Sequence, residues 1–144
     1  MEALLGGWSG KRVLVIGDVM LDRYLWGRVD RISPEAPVPV VDVESESVRL
    51  GGAANVADNV RALGGRPYLV GVTGEDAEAA LLRERLAAAS LSAHGLVPDR
   101  GRPTSVKTRI VARSHHIVRV DRESRAEAAE AAENALIEIG RAHV

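Results

Sequence analysis

Three groups of residues in this sequence have the types and spacing to do chemistry. They are the carboxylates Asp18 and Asp22, the glycine pair Gly51-Gly52 with Asn55 behind it, and the cations Lys107 and Arg109. A glycine pair lets the backbone turn sharply and lets a ligand come close, because no Cβ stands in the way. The Asn55 amide can both donate and accept hydrogen bonds. The helix expected behind Gly52 begins with free N–H groups, so a polar ligand on the glycines would meet all of these. Asp18 and Asp22 could accept hydrogen bonds from a polyol or ligate a metal, and Asp18 could equally do no more than cap a turn. Lys107 and Arg109 suit a phosphate, since ammonium and guanidinium both pair with that anion; they also fit a plain solvated face. The glycine stretch alone is compatible with an ordinary strand-to-helix connection.

The elements that must position these groups follow from periodicity. Val13 to Ile16 is a continuous apolar run ended by Gly17, the pattern of a parallel strand buried on both faces. It leaves Asp18 and Asp22 just past the strand's C-terminal end, where open α/β sheets bind ligands. Prolines 34, 37 and 39 predict a loop running into an edge strand. That strand pair is expected apart from the main sheet, rising over the ligand end. From Ala53 the positions Val56, Val60 and Leu63 recur at helical spacing until Gly64-Gly65. Pro67 to Val72 reads as a second buried strand. Thr73 to Asp76 then leads into a helix over 77–89 with Leu81, Leu82 and Leu86 inward. A short strand is expected near 91–97. Thr104 to Arg113 alternates, with Val106, Thr108, Ile110 and Ala112 on one face and Lys107, Arg109, Val111 and Arg113 on the other. Ser114-His115-His116 makes the turn of a hairpin returning over 117–121, and a helix is expected over 125–137. The succession strand, helix, strand, helix, strand predicts an α/β fold with a parallel sheet.

Composition narrows the function classes. The chain has 144 residues, 46% hydrophobic and 27% charged, as a folded domain or a piece of one requires. A formal net charge of -1 gives no electrostatic case for nucleic acid or an acidic membrane. With no cysteine there is neither a disulfide nor a Cys-ligated metal. No apolar run approaches the roughly 18 residues that span a bilayer. Met1 to Trp8 lacks the basic start and apolar core of a signal peptide, so the expected location is cytoplasmic.

Taken together, Val13 to Tyr24, the Ser33-Pro34-Glu35-Ala36-Pro37-Val38-Pro39-Val40 segment, Gly51 to Ala57 and Gly71 to Gly74 resemble the ribokinase-like (PfkB) carbohydrate kinases. Within them the Asp18-to-Asp22 and Arg31-to-Val40 segments and the His115-His116 turn are most similar to the heptose 7-phosphate kinases of bacterial ADP-heptose synthesis. The resemblance spans about Lys11 to Glu123. It implies the N-terminal portion of a three-layer α/β/α sandwich carrying a small β-sheet lid. The kinase portion is expected over 11–137, with the lid from about 28–50 and 104–121. By the same likeness Asp22 binds sugar hydroxyls, while Gly51, Gly52 and Asn55 form the facing wall. Asp18 is a neighbour of the site, and Lys107 and Arg109 hold the sugar's existing phosphate. Lids of this family often pair between subunits, which implies a homodimer. The reaction implied is transfer of the γ-phosphoryl group of ATP, with Mg²⁺, to the anomeric hydroxyl of heptose 7-phosphate, toward lipopolysaccharide core.

Such transfer depends on positioning, charge stabilisation and one carboxylate that takes the hydroxyl proton. In the family that carboxylate belongs to a Gly-Ala-Gly-Asp motif, and this sequence contains none. It also lacks the family's Asn-x-x-Glu motif and an ATP-binding segment. A whole kinase domain of this type is roughly twice as long. The expectation is a sugar-binding half that neither holds ATP well, nor carries a metal ligand set, nor transfers phosphate alone. The last residues, Glu138 to Val144, match what a common sequencing adapter encodes in frame, so they are expected to be a non-native tail. Three other readings compete: a sugar-binding or dimerisation module that needs no ATP, a kinase of the same superfamily for fructose 6-phosphate or a nucleoside, and a dinucleotide-binding protein. The glycine spacing disfavours the last.

Overall fold

The computed structural model describes residues 9–113 and 115–143, His143 by its backbone alone. Met1 to Trp8, read above as no signal peptide, Ser114 of the expected turn and Val144 of the expected tail lie outside the described residues.

Two sheets share one core. The first is parallel and three-stranded, in the order β1 (Arg12–Ile16), β4 (Arg66–Thr73), β5 (Leu96–Pro98). The second has four strands in the order β3 (Pro39–Gly52), β2 (Val19–Ile32), β6 (Ser105–Ala112), β7 (His115–Arg122). Helix α1 (Ala53–Ala62) joins β3 to β4, α2 (Ala77–Ala88) joins β4 to β5, and α3 (Glu130–His143) follows β7. The expected α/β architecture with a separate small sheet is therefore observed. Among the described residues no helix is long and apolar enough to cross a membrane.

Only Gly17 and Asp18 separate β1 from β2. The segment placed just past the first strand's C-terminal end is the start of a 14-residue strand. The second sheet thus begins at Val19, well ahead of the Arg28 start expected for the lid. Burial explains why the strand starts at once. Val19 and Leu21 turn into the core beside Val106, Ala54, Leu82 and Leu86, all buried. The leucines Leu21, Leu82 and Leu86 are sealed completely, and burying each such side chain is worth about 1.5–3 kcal/mol. Alternate residues of β2, among them Asp22 and Tyr24, are left on the opposite face.

Helix α1 differs from its expected inward face. Val56 and Leu63 are half-exposed, and the helix packs through Ala53, Ala54, Ala57 and Val60. Small alanines let its axis lie close to β4 and β1, which the larger valine would hold off. Leu81 of α2 is only partly buried, whereas Leu82 and Leu86 are inward as expected. In β6 the alternation fails where the pairing to β7 shifts between Ile110 and Val111, so that Val111 and Ala112 are both buried. Such a bulge turns consecutive side chains to one face.

Helix α3 begins five residues later than expected and runs on to His143, through the residues expected as a tail. Its start is fixed from outside the helix. Asp99 Oδ2 accepts the Ala129 N–H at 3.0 Å, and the Ala129 carbonyl accepts from Ala132 and Glu133 at 2.8 and 3.0 Å. Asp99 Oδ1 also takes the Gly101 N–H at 2.8 Å. The two N–H groups, Ala129 first, hold the Asp99 carboxyl below its usual range.

Candidate functional site

The glycine pair sits where the second sheet hands the chain to α1. Gly52 has φ 55°, a left-handed conformation that a Cβ disfavours. A Cβ there would also run into the Asp18 carbonyl oxygen. That carbonyl accepts the Ala53 N–H at 2.8 Å, which ties the first turn of α1 to the β1–β2 connection. No side chain caps the helix at Gly52.

Gly51 is needed for a different reason. A Cβ on it would lie 2.8 Å from Asp22 Oδ2 and 2.9 Å from Met20 Cγ. The absent side chain is the space Asp22 occupies. From the other side Arg109 Nη1 donates to Asp22 Oδ1 at 2.5 Å. The pair is reached across the parallel β2–β6 ladder, where Asp22 stands opposite Lys107 and Tyr24 opposite Arg109. The Asp22 carboxylate, first by this bond and then by its charge, holds the Arg109 guanidinium above its usual range.

Asp22 and Asn55 line one open groove of about 480 Å³, between the β2–β3 hairpin and helices α1 and α2. That volume is within the range of small-ligand sites. Tyr24, Arg49, Asp58 and Arg85 also line it. Tyr24 carries Arg109 and Arg49 against its ring at 5.2 and 5.4 Å and stacks on Trp26 with centroids 5.7 Å apart. Cation–π contacts of this kind fix where the two guanidinium planes lie.

Of the seven residues singled out from sequence, the structure brings Asp22, Gly51 and Asn55 together around this groove, with Gly52 at its helix start and Arg109 bracing Asp22. Asp18 stands elsewhere. It lines a separate cavity of about 250 Å³ with Arg102, Ser105 and Glu133, because only its backbone, not its side chain, is shared with the glycine turn. Lys107 is tied up: its ammonium lies 2.8 Å from Glu123 and 3.3 Å from Asp121. Glu123 first, then Asp121, hold it above its usual range.

Sequence reading missed Arg49 and Arg85. Arg49 stands opposite Asp22 on the neighbouring strand, two residues before Gly51. Knowing that β2 and β3 pair would have found it, since residues two apart on a strand share a face. Arg85 comes from α2 and carries no comparable local signal.

A third arrangement connects the sheets. Asp76 caps α2 by accepting the Ala79 N–H at 2.9 Å. Its carboxylate also accepts from the Thr104 hydroxyl at 2.6 Å and the Thr104 N–H at 2.8 Å. Thr104 in turn accepts the Gly74 N–H at 2.9 Å and is fully buried immediately before β6. Desolvation pushes Asp76 up, but the Thr104 and Ala79 donors outweigh it and the carboxyl lies below its usual range.

Among the described residues no three His, Asp or Glu side chains stand close enough to hold a metal ion.

The profile of the pfkB family carbohydrate kinases matches residues 11–142. The chain is 54% identical over 121 residues to the Bifunctional protein HldE of Caulobacter sp. strain K31, covering 84% of this chain and 25% of that protein. It is 46% identical over 143 residues to the Bifunctional protein HldE of Geobacter sulfurreducens, covering 99% and 29%. The chain thus spans about a quarter of the length of these curated relatives. Among solved structures it is similar to a carbohydrate kinase from Agrobacterium tumefaciens, with TM-score 0.60 and 23% identity over 77% of this chain and 35% of that one. It is also similar to the Arabidopsis thaliana ribokinase complexed with ribose and ATP, with TM-score 0.59 and 19% identity over 81% and 36%. These structural likenesses establish a ribokinase-like α/β fold, of which this chain is a portion.

Proposed function

The chain belongs to the pfkB family of carbohydrate kinases, and from that premise we propose that it carries the sugar-binding half of a heptose 7-phosphate kinase. The sugar lies in the groove beside Asp22, which accepts hydrogen bonds from its hydroxyls. Gly51 and Gly52 form the close-approach wall, and the Asn55 amide faces them. The observation that carries the reading is the position of Asp22: backed by the empty side of Gly51, held by Arg109, and in one groove with Asn55. A carboxylate held by a charged donor keeps its remaining lone pairs aimed at a ligand. Arg109 enters as the residue that orients Asp22, Asp18 as the backbone anchor of α1, and Lys107 as a brace between β6 and β7.

The chemistry is transfer of a phosphoryl group from ATP to the anomeric hydroxyl, giving a 1,7-bisphosphate for ADP-heptose and lipopolysaccharide core synthesis. The general base and the Mg²⁺ and ATP groups belong to sequence outside this chain, so the chain alone binds sugar and transfers nothing. The kinase portion covers at least 11–137, and the setting is cytoplasmic.

The four-stranded sheet acts as the lid and pairs with a second copy. Supporting that pairing, the far end of its apolar face exposes Val118 and Val120, and all of β7 is exposed. An uncovered edge strand is a ready template for another chain.

The experiment is a selectivity comparison by calorimetry with heptose 7-phosphate, fructose 6-phosphate and adenosine. Heptose 7-phosphate is expected to bind at least about tenfold more tightly than either, a gap of about 1.4 kcal/mol. A preference for fructose 6-phosphate or adenosine overturns the substrate.

A further inference from the structure

Asp22 and Arg109 sit on two strands that leave the core at separate points. β2 leaves at the Gly17-Asp18 connection, where the Asp18 carbonyl accepts the Ala53 N–H and ties the strand of Asp22 to α1. β6 leaves at Thr104, whose hydroxyl and N–H both donate to Asp76, the N-cap of α2. The Thr104 hydroxyl also accepts the Gly74 N–H, and the side chain is fully buried. Past this entry little fastens β6 to the core. Among the described residues Val106 is its one member of the core cluster. Lys107, Thr108, Arg109 and Ile110 are half-buried, and the neighbouring β7 is exposed throughout. An apolar contact such as that of Val106 is non-directional. Three hydrogen bonds converging on one carboxylate do have a direction, and they sit where the strand begins.

We propose that Asp76 and Thr104 are positioning residues for the sugar site: they fix where β6 leaves the core, and thereby where Arg109 meets Asp22. This rests on the reading of the groove as the sugar site and adds what sets the geometry of its acceptor. Thr104 stands five residues ahead of Arg109, and β6 runs parallel to β2 with Ser105 opposite Met20 and Arg109 opposite Tyr24. Side chains alternate along a strand, so a slip of one residue would turn Arg109 to the other face. A smaller shift would stretch or bend a charge-assisted bond whose strength depends on both distance and angle. The same carboxylate also sets α2, which lines the groove through Arg85 and Ala88. Strand and helix wall are therefore placed by one joint.

The test is a double-mutant cycle on sugar affinity, read by calorimetry with heptose 7-phosphate on the whole chain. Its members are Thr104→Val, which keeps the buried volume and removes the hydroxyl, Arg109→Met, and the two combined. Asp76→Asn, Thr104→Ser and Leu91→Ala accompany them. Leu91 is buried outside β6 and the groove, so its truncation lowers stability alone. Circular dichroism and thermal melts set a temperature at which every protein is folded. Thr104→Val and Asp76→Asn should each weaken binding by about 3–10-fold, while Thr104→Ser and Leu91→Ala stay within about twofold of wild type. The combined variant should match Arg109→Met within about twofold, because both changes release the same carboxylate; independent sites this far apart would add. Where Thr104→Val does not fold, Asp76→Asn takes its place in the cycle and the same outcomes decide. Additive losses, wild-type affinity in Thr104→Val, or an equal loss in Leu91→Ala overturns the positioning role and leaves the sugar site standing. A wild-type chain that binds no heptose 7-phosphate overturns the two together.

Discussion

Asp22 on β2 and Arg109 on β6 are 87 positions apart in sequence and share a hydrogen-bonded ion pair within the second sheet. The pair is half-buried, and the missing side chain of Gly51 gives Asp22 its place. The carboxylate's orientation is thus set before any ligand arrives. Asp22→Asn keeps the shape but removes the charge that Arg109 grips. Sugar affinity should fall by about 10–100-fold, the loss of one charge-assisted hydrogen bond or two, read by calorimetry. Arg109→Met should weaken sugar binding in the same direction by leaving Asp22 free to turn.

Gly51→Ala and Gly52→Ala should separate space from conformation. At Gly51 the new methyl presses on the Asp22 carboxylate and Met20, so sugar binding should drop more than stability does. At Gly52 the left-handed backbone and the Asp18 carbonyl both resist a Cβ. Gly52→Ala should therefore cost at least about 1–2 kcal/mol of stability, visible as a lower thermal midpoint.

Asn55 offers the opposite separation. It is exposed on α1 in the groove, and its side chain makes no hydrogen bond to the other described residues. Asn55→Ala should leave the thermal midpoint unchanged within about 0.5 kcal/mol. Sugar binding should fall by about tenfold or more in the same protein. A loss of stability with binding intact would assign the residue to the fold instead.

Asp76 predicts an acid-sensitive joint between the sheets. Its folded carboxyl lies below the ordinary value, so its stabilisation is complete above about pH 4 and is lost as pH falls through the lowered folded value. Thermal melts of the wild-type chain should fall steeply with acid there, and Asp76→Asn should flatten that part of the profile. Asp76→Ala removes the α2 cap and both Thr104 bonds, and should cost about 2–4 kcal/mol at neutral pH. Because Thr104 leads directly into β6, the same variant should also loosen the second sheet, read as faster amide exchange in β6.

Local signals made much of this legible from sequence. Val13 to Ile16 and the run around Leu69 and Val70 are continuous apolar stretches, and such stretches announce a parallel sheet wherever they occur. Asp76 is an N-cap three residues ahead of Ala79, and it too was readable locally. What escaped depends on distant pairing. Val19 to Ile32 mixes buried valine and leucine with Asp22, Arg23, Tyr24 and Trp26, and it becomes a strand only because β3 and β6 flank it on both sides. Once that pairing is known, Asp18 must leave the group, because its side chain falls outside the groove that Asp22 faces. Arg49 joins by the same register. The late start of α3 was equally hidden, since its cap is the carboxylate of Asp99, 30 positions away.

The most direct measurement is a calorimetric titration of heptose 7-phosphate into this chain and its Asp22→Asn variant. A separate titration with ATP and Mg²⁺ accompanies it. Saturable sugar binding by the wild-type chain is expected, with loss of about tenfold or more in the variant and weak or no nucleotide binding to either. Wild-type protein that folds but binds no sugar, or binds it equally well without the Asp22 charge, would contradict this expectation.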